Sequence, residues 1–285
     1  RSTPLYSSAA SDVYKRQQIE GAAMHVQQIG QVVVKATQFI NPTHVEITQH
    51  GIRNDRLFAL VEATDKFVGS SEHSEFIPLK FSMAYGSSDL TLELPDGRII
   101  KEPANCNTRT FGVEHAGLRT IEVAEIGGPW TDILTEYSRR PIRLVKCLSP
   151  GGAIDVFPLT FATTGSLRRL EREVGEAINP ARLRAGLIIA NKIEHEEDDW
   201  AEKNLAIGSV VIKVRTGVPR CQVVGFNPKE GKRDQDIMKA LVKYRAKVNL
   251  PDGLLPNYAT PGFATYAEVI KEGIITVGDK VEFVE

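Results

Sequence analysis

The stretch Thr216-Gly217-Val218-Pro219-Arg220-Cys221-Gln222-Val223-Val224-Gly225-Phe226-Asn227-Pro228-Lys229-Glu230-Gly231 decides how the chain is read. A cysteine follows Pro-Arg directly, and an Asn-Pro-Lys-Glu-Gly turn closes the segment. Upstream, Leu205 to Val214 is an apolar, β-branched run with the character of a strand. Cys221 therefore falls just past a strand end, where sites usually open. A Cys beside an apolar run is, taken alone, more often core packing than a ligand. Three features weigh the other way: Pro219 stiffens the approach, Arg220 adds local positive charge, and positive surroundings favour the thiolate. A thiolate is a soft ligand suited to molybdenum, copper or zinc. In extended chain Arg220 and Cys221 point to opposite sides, so both serve one ligand only if the backbone bends there.

Working outward, the residues before this segment read as many short strands. His25 to Lys35 is a β segment in which Gly30 invites a bend, and Asn41-Pro42 breaks it. Val45 to Thr48, Leu57 to Val61, Phe67-Val68, Leu79 to Ala84, Leu90 to Leu94 and Ile121 to Val123 continue the pattern. Pro95-Asp96-Gly97-Arg98 is a tight turn, with proline presetting φ and glycine taking a positive φ. Trp130, Ile133, Leu134 and Tyr137 have helical spacing, and Pro141 to Val145 returns to strand. Such a series predicts a small barrel or sandwich. Ser149-Pro150-Gly151-Gly152 is the candidate boundary, dividing residues 24–148 from residues 149–285.

Beyond the boundary helix and strand mix, which makes the whole a β-rich α+β chain. Leu167, Leu170 and Val174 recur at helical intervals, with Thr164 or Ser166 as the expected cap. Leu187 to Ala190 is a buried strand, and the acidic stretch Glu194 to Glu202 a solvated face anchored by Trp200. Asp234 to Val248 is amphipathic and predicts a helix, and Tyr266 to Ile270 and Val277 to Phe283 are the last strands. Residues 1–23 stand apart. Arg1 to Gln17 is polar, has no apolar core of a signal peptide, and resembles translated adaptor sequence, so residues 1–23 are expected to be a non-native leader, with the native start at or near Met24, or else a disordered native tail.

Composition narrows the function classes. Hydrophobic residues make 42% and charged residues 25%, the balance of an ordinary globular chain. With 35 basic and 36 acidic residues the net charge is −1, so nothing pulls the whole chain to nucleic acid or an anionic membrane. No run approaches the roughly 18 apolar residues of a membrane span. The 3 cysteines, Cys106, Cys147 and Cys221, contain no Cys-x-x-Cys pair and are too few for a disulfide scaffold or an iron–sulfur site. A reducing, cytoplasmic setting is the expectation.

Arg184, just before a buried strand, is placed to meet a carboxylate or a phosphate. On periodicity alone Lys35 and Arg56 read as ordinary surface residues at strand ends. Cys106, Cys147 and the 6 histidines lack metal-ligand spacing. There is no Gly-x-Ser-x-Gly, P-loop or Rossmann glycine fingerprint.

Several of these pieces recur in order: Lys35 after an apolar strand, Gly51-Ile52-Arg53-Asn54-Asp55-Arg56, Leu183-Arg184, Pro219-Arg220-Cys221, Asn227 to Gly231, Leu241 to Arg245, and Gly273-Ile274-Ile275-Thr276-Val277-Gly278-Asp279-Lys280-Val281. Together, over residues 24–285, they resemble the MOSC proteins that also carry an N-terminal β-barrel domain, the group of the mitochondrial amidoxime-reducing components, and the C-terminal domain of molybdenum cofactor sulfurase. The resemblance implies a small N-terminal β-barrel-like domain followed by a MOSC-type β-barrel decorated with helices. It implies a molybdenum cofactor whose metal is ligated by Cys221. Its pterin and phosphate would be held by Lys35, Arg56, Arg184 and Arg220, with the hydroxyls of Thr163, Thr164 and Ser166 near a cofactor loop. The chain departs from the family pattern at Ala36, at Ala185-Gly186 and at Pro219, where polar residues are the family's habit.

The expected function is that of a molybdenum-cofactor oxidoreductase reducing N-hydroxylated or similar small substrates. Its electrons would come from a separate donor protein. Two alternatives stay open: a cofactor or persulfide-sulfur carrier without turnover, and a structural β protein in which Cys221 is packing.

Overall fold

The computed structural model describes residues 23–115, 119–248, 250 and 259–285. Apart from Ala23, the leader expected at 1–23 lies outside the described residues. The main sheet runs, in spatial order, through strands His25–Ile29, Leu187–Ala190, Leu159–Thr163, Thr260–Lys271, Val210–Pro219, Asn204–Ile207 and Val281–Val284. Neighbours are antiparallel except Leu159–Thr163 with Leu187–Ala190, which is parallel. A parallel pair needs a long crossover, and the helix Thr164–Val174 with the 3-10 turn Pro180–Leu183 supplies it.

The two ends of this sheet meet. His25 bridges Lys280, the Val26 N–H donates to the Asp279 carbonyl at 2.9 Å, and the Val281 N–H donates to the Met24 carbonyl at 2.9 Å. The sheet is thereby a nearly closed barrel with its edges paired. Residues alternate in and out along Val210–Pro219, so Val210, Ile212 and Val214 join Ile29, Phe161, Trp200 and Leu205 in a fully buried interior.

Before the expected division lie a four-stranded sheet, Phe58–Glu62, Ile142–Cys147, Arg119–Ile126 and Cys106–His115, and a three-stranded one, Lys80–Met83, Asp89–Glu93 and Ile99–Pro103. Trp130 and Leu134, one turn apart on the helix Trp130–Ser138, fill the core between them with Phe76 and Phe81. The turn at Pro95–Arg98 is as expected, with Gly97 at φ +86°. The expected division falls in an irregular stretch, yet strands before it pair with strands after it. His25–Ile29 lies in the barrel, and His44–Thr48 pairs with Gly273–Thr276.

Four sequence expectations change. The run Leu205 to Val214 is a hairpin, because Gly208 at φ +58° reverses the chain between Asn204–Ile207 and Val210–Pro219. The β segment from His25 stops at Ile29. There a Cβ on Gly30 would sit 2.7 Å from the Phe39 ring and 2.8 Å from the Ala185 carbonyl. The helix expected over 234–248 spans only Ile237–Tyr244. Arg245 leaves it to donate to the Gly262 carbonyl at 2.7 Å and to Asp198, and Lys247–Val248 pairs with the strand Thr260–Lys271. The acidic stretch is not wholly solvated: Glu197 is buried with Trp200. Burial raises the Glu197 carboxyl above its ordinary value, against hydrogen bonds from Ser166 and Thr163. Among the described residues no helix is long and apolar enough to cross a membrane.

Two outcomes follow from this packing. A fragment starting at residue 149 lacks the strand that closes the barrel, so its thermal melt by circular dichroism is expected to lose cooperativity. His195 packs between Tyr244 and Phe263, at ring distances of 5.5 and 5.9 Å, and burial followed by the Arg245 charge pushes it from 6.5 down to about 4. The unfolded chain then binds the extra proton first, so stability is full above about pH 6.5 and falls as pH drops towards about 4. His195→Phe should flatten that part of the melting-temperature profile.

Candidate functional site

The basic residues singled out in the sequence sit at backbone bends. The Lys35 N–H is pinned to the Phe58 carbonyl at 2.8 Å, and the next residue, Ala36, has φ +73°. Arg56 has φ +51° and Arg184 φ +49°. Arg184 ends the turn Pro180–Leu183, which Asn179 caps by accepting the Ala181 N–H at 3.0 Å. A non-glycine residue at positive φ costs about 1–3 kcal/mol and persists where its surroundings over-determine it. Three such residues border one cavity.

That cavity, of about 340 Å³, is lined by residues from both sides of the expected division, Lys35 and Arg56 from before it and Asp155, Arg184, Cys221 and Tyr266 from after it, among others. Five basic residues stand in its wall against two carboxylates, with an apolar side that includes Phe157, which packs on Tyr266 at 5.4 Å. Lys35 and Arg56 are not surface residues: their side chains are only 15% and 17% exposed.

The guanidinium groups of Arg56 and Arg184 both lie against the Phe39 ring, 5.7 and 5.1 Å from its centre. Arg184 donates to the Thr37 carbonyl at 3.0 Å, and Arg56 pairs with Asp55, which also accepts the Val32 N–H at 2.7 Å. Burial, with Arg56 close by, pushes Arg184 down to about 10. Burial likewise lowers Lys35, against the opposing pull of Asp155. Tyr266 is raised by burial and then by the Asp155 charge, so it keeps its proton. The wall is thus a cluster of buried cations, which an entering anion would relieve.

Cys221 follows the strand Val210–Pro219 and opens the 3-10 turn Gln222–Gly225; it is a free, partly exposed thiol. Arg220 borders the cavity, but its Nε donates to the Phe263 carbonyl and its Nη1 to the Leu183 carbonyl, each at 2.6 Å. These contacts brace the Cys221 turn against two neighbouring segments. Cys147 differs: it is buried, and that burial pushes its thiol up to about 11. Cys106 is exposed.

Thr163, Thr164 and Ser166 are not brought to the cavity. Thr163, in extended geometry at φ −107° and ψ 152°, is the cap of the helix Thr164–Val174 in place of the expected Thr164 or Ser166. Its hydroxyl meets Glu197 at 2.9 Å, Thr164 donates to the Asn191 carbonyl at 2.9 Å, and Ser166 Oγ accepts the His195 N–H at 2.9 Å. The three hydroxyls tie the helix start to the 191–197 loop. Conversely, Asp155 and Tyr266 lie in the cavity and were missed. The one signal for Asp155 was a carboxylate close behind the Gly151-Gly152 break.

Residues 153–282 match the model of the MOSC domain. The chain carries a MOSC domain. The barrel also takes in His25–Ile29, from outside the matched residues. A mitochondrial amidoxime reducing component 2 from Macaca fascicularis is 26% identical, over 90% of this chain and 84% of that protein. The Homo sapiens protein of the same name is 24% identical over the same shares. A molybdenum cofactor sulfurase from Caenorhabditis elegans is 22% identical over 78% of this chain, which spans about a third, 32%, of that protein. Among solved structures, the YUAD protein from Bacillus subtilis superposes with a TM-score of 0.42 and 9% identity, covering 91% of this chain and 94% of that one.

If the hydroxyl cluster of the MOSC domain is structural, Thr163→Ala should lower stability by about 1–3 kcal/mol, from a lost cap and a buried carboxyl left short of a donor. Urea unfolding measures this. Metal bound per folded molecule should stay at the wild-type level.

Proposed function

We propose that this chain binds the molybdenum cofactor in the cavity beside Cys221 and works as an oxidoreductase on N-hydroxylated or similar small substrates. One observation carries the reading: Cys221 and the cations Lys35, Arg56 and Arg184, far apart in sequence, line a single cavity. The donor set fits such a group, with one soft sulfur for the metal and three cations for phosphate and pterin oxygens. The volume, about 340 Å³, falls within the range of about 300–1,000 Å³ usual for small-molecule sites. The relatives' names, amidoxime reducing component and molybdenum cofactor sulfurase, support the same chemistry.

When bound, the cofactor supplies the two-electron exchange of an oxo group. The chain's own residues position it. Lys35, Arg56 and Arg184 would neutralise and orient its anionic groups, and Cys221 would hold the metal. Phe157 and Tyr266 form a drier wall for the substrate, and Tyr266 offers its O–H there. Electrons would come from a separate donor protein in this reading, and the 3 scattered cysteines of these 285 residues offer no iron–sulfur ligand set. A reducing, cytoplasmic setting keeps Cys221 a free thiol.

A second reading is a carrier of cofactor or persulfide sulfur without turnover. It is favoured by Ala36, Gly186 and Pro219, which all line the cavity at positions where the family resemblance leads one to expect polar contacts.

The test is elemental analysis of protein made in a host that synthesises the cofactor. Cys221→Ala is expected to lose most of its molybdenum; retention at the wild-type level would remove Cys221 as the ligand. With a reduced dye as donor, wild-type protein should turn over N-hydroxylated compounds. Loaded protein that does not, while Cys221 labels as a persulfide, would establish the carrier reading in its place.

A further inference from the structure

The cavity already contains an anion of its own. Asp155 sits in the irregular stretch between the strands Ile142–Cys147 and Leu159–Thr163. Its Oδ1 accepts from Lys35 Nζ at 2.6 Å and lies 3.2 Å from His115 Nε2. The same stretch is held by its backbone: Lys35 Nζ also donates to the Ala153 carbonyl at 2.8 Å, and Arg119 donates to the Ile154 carbonyl. Even so, the Asp155 side chain is 59% exposed, and the residue lines the cavity. Its carboxylate therefore borders open space while its near oxygen is bonded to the amine.

The other wall residues are committed differently. Asp55 is 7% exposed and turned inward, with Val32 and Arg56 as partners. Arg182 is spent on Asp234 and the Gly225 carbonyl, and Arg220 donates to the Phe263 and Leu183 carbonyls. That leaves Lys35, Arg56 and Arg184 as the cations able to meet a ligand. Among the described lining residues, Asp155 is the one carboxylate that faces it.

We propose that Asp155 is a built-in counter-anion, which holds Lys35 while the cavity has no anionic ligand and is displaced from the Lys35 amine when a phosphate-type anion enters. The inference rests on the reading of this cavity as an anion site. Its physical basis is competition for one amine. A cluster of three buried cations repels itself, and an internal carboxylate relieves that at no cost in ligand. The entering anion must then outcompete a carboxylate already in hydrogen-bond contact. A doubly charged phosphate group does so better than a singly charged ion such as chloride, so the device selects for multiply charged ligands. Asp155 carries net negative charge throughout: its carboxyl is raised by burial, but Lys35 and the His115 hydrogen bond outweigh that and hold it well below the usual carboxylate range.

The probe is inorganic pyrophosphate, added to full-length protein made in a host that lacks the cofactor. Binding is read by calorimetry and melting temperature by fluorimetry. Asp155→Asn and Asp155→Ala are expected to melt below wild type in phosphate-free buffer. They should bind pyrophosphate about tenfold more tightly at low ionic strength, a gap that narrows as salt rises. Lys35→Met should bind weakly, and adding Asp155→Asn to it should restore little, since the contested amine is gone. Unchanged or weaker binding in both Asp155 variants, with Lys35→Met still impaired, would overturn the counter-anion and leave the cavity an anion site. Failure of every protein to bind, wild type included, would overturn the anion site itself and the counter-anion with it.

Discussion

The pairing of the strand His25–Ile29 with strands on both sides of it in the barrel is the constraint on which the site depends. His25–Ile29 runs antiparallel to Leu187–Ala190 on one side and meets residues 279–281 on the other. Because that pairing continues from the Gly30 N–H to the Gly186 carbonyl at 2.9 Å, the next residues emerge alongside Arg184. Arg184 then donates to the Thr37 carbonyl, two residues after Lys35. A single strand register thus sets one cation from before the expected division beside one of the MOSC domain. A slip of one residue would turn every side chain of the strand to the opposite face and separate them.

Around that junction the protein concentrates unfavourable features that ordinary packing avoids. Ala36, Arg56 and Arg184 take left-handed backbone conformations, and three cations are buried near one another. Each would be eliminated from a site meant only to be stable. The surroundings offset them with Asp55, Asp155, the Phe39 ring and backbone carbonyls, which neutralise charge but leave a space lined by positive groups. Strain and like charge gathered at one cavity wall are features that cluster at binding sites, in keeping with the proposed anion site.

Much of the local structure was legible. The strands Phe58–Glu62, Lys80–Met83, Asp89–Glu93 and Leu187–Ala190, and the helices Trp130–Ser138 and Thr164–Val174, carry clear apolar periodicity. Where reading failed, the determining group was either a turn glycine read as part of a strand or a group distant in sequence. Gly208, within the run Leu205 to Val214, ends one strand and starts another, and Asp198 and the Gly262 carbonyl pull Arg245 out of its helix. The helix cap falls on Thr163, the last residue of the strand Leu159–Thr163, and not on Thr164 or Ser166, and its hydroxyl is held by Glu197 and by the Ser166 N–H. The same holds for Glu197, whose acidic neighbours suggested solvent.

By itself the sequence determined the β-rich α+β class, the position of Cys221 just past a strand, the order of the segments that resemble the MOSC group, and the turn at Gly97, since these rest on local periodicity and backbone sterics. Tertiary structure alone decided that Lys35, Arg56, Arg184 and Cys221 share one cavity, that Arg220 braces its turn, that Thr163, Thr164 and Ser166 serve the helix start, and that Asp155 faces Lys35. Those facts depend on strand register and on contacts between residues well separated in sequence, by 34 positions for Thr163 and Glu197 and by 120 for Lys35 and Asp155, and local pattern does not encode contacts at such distances.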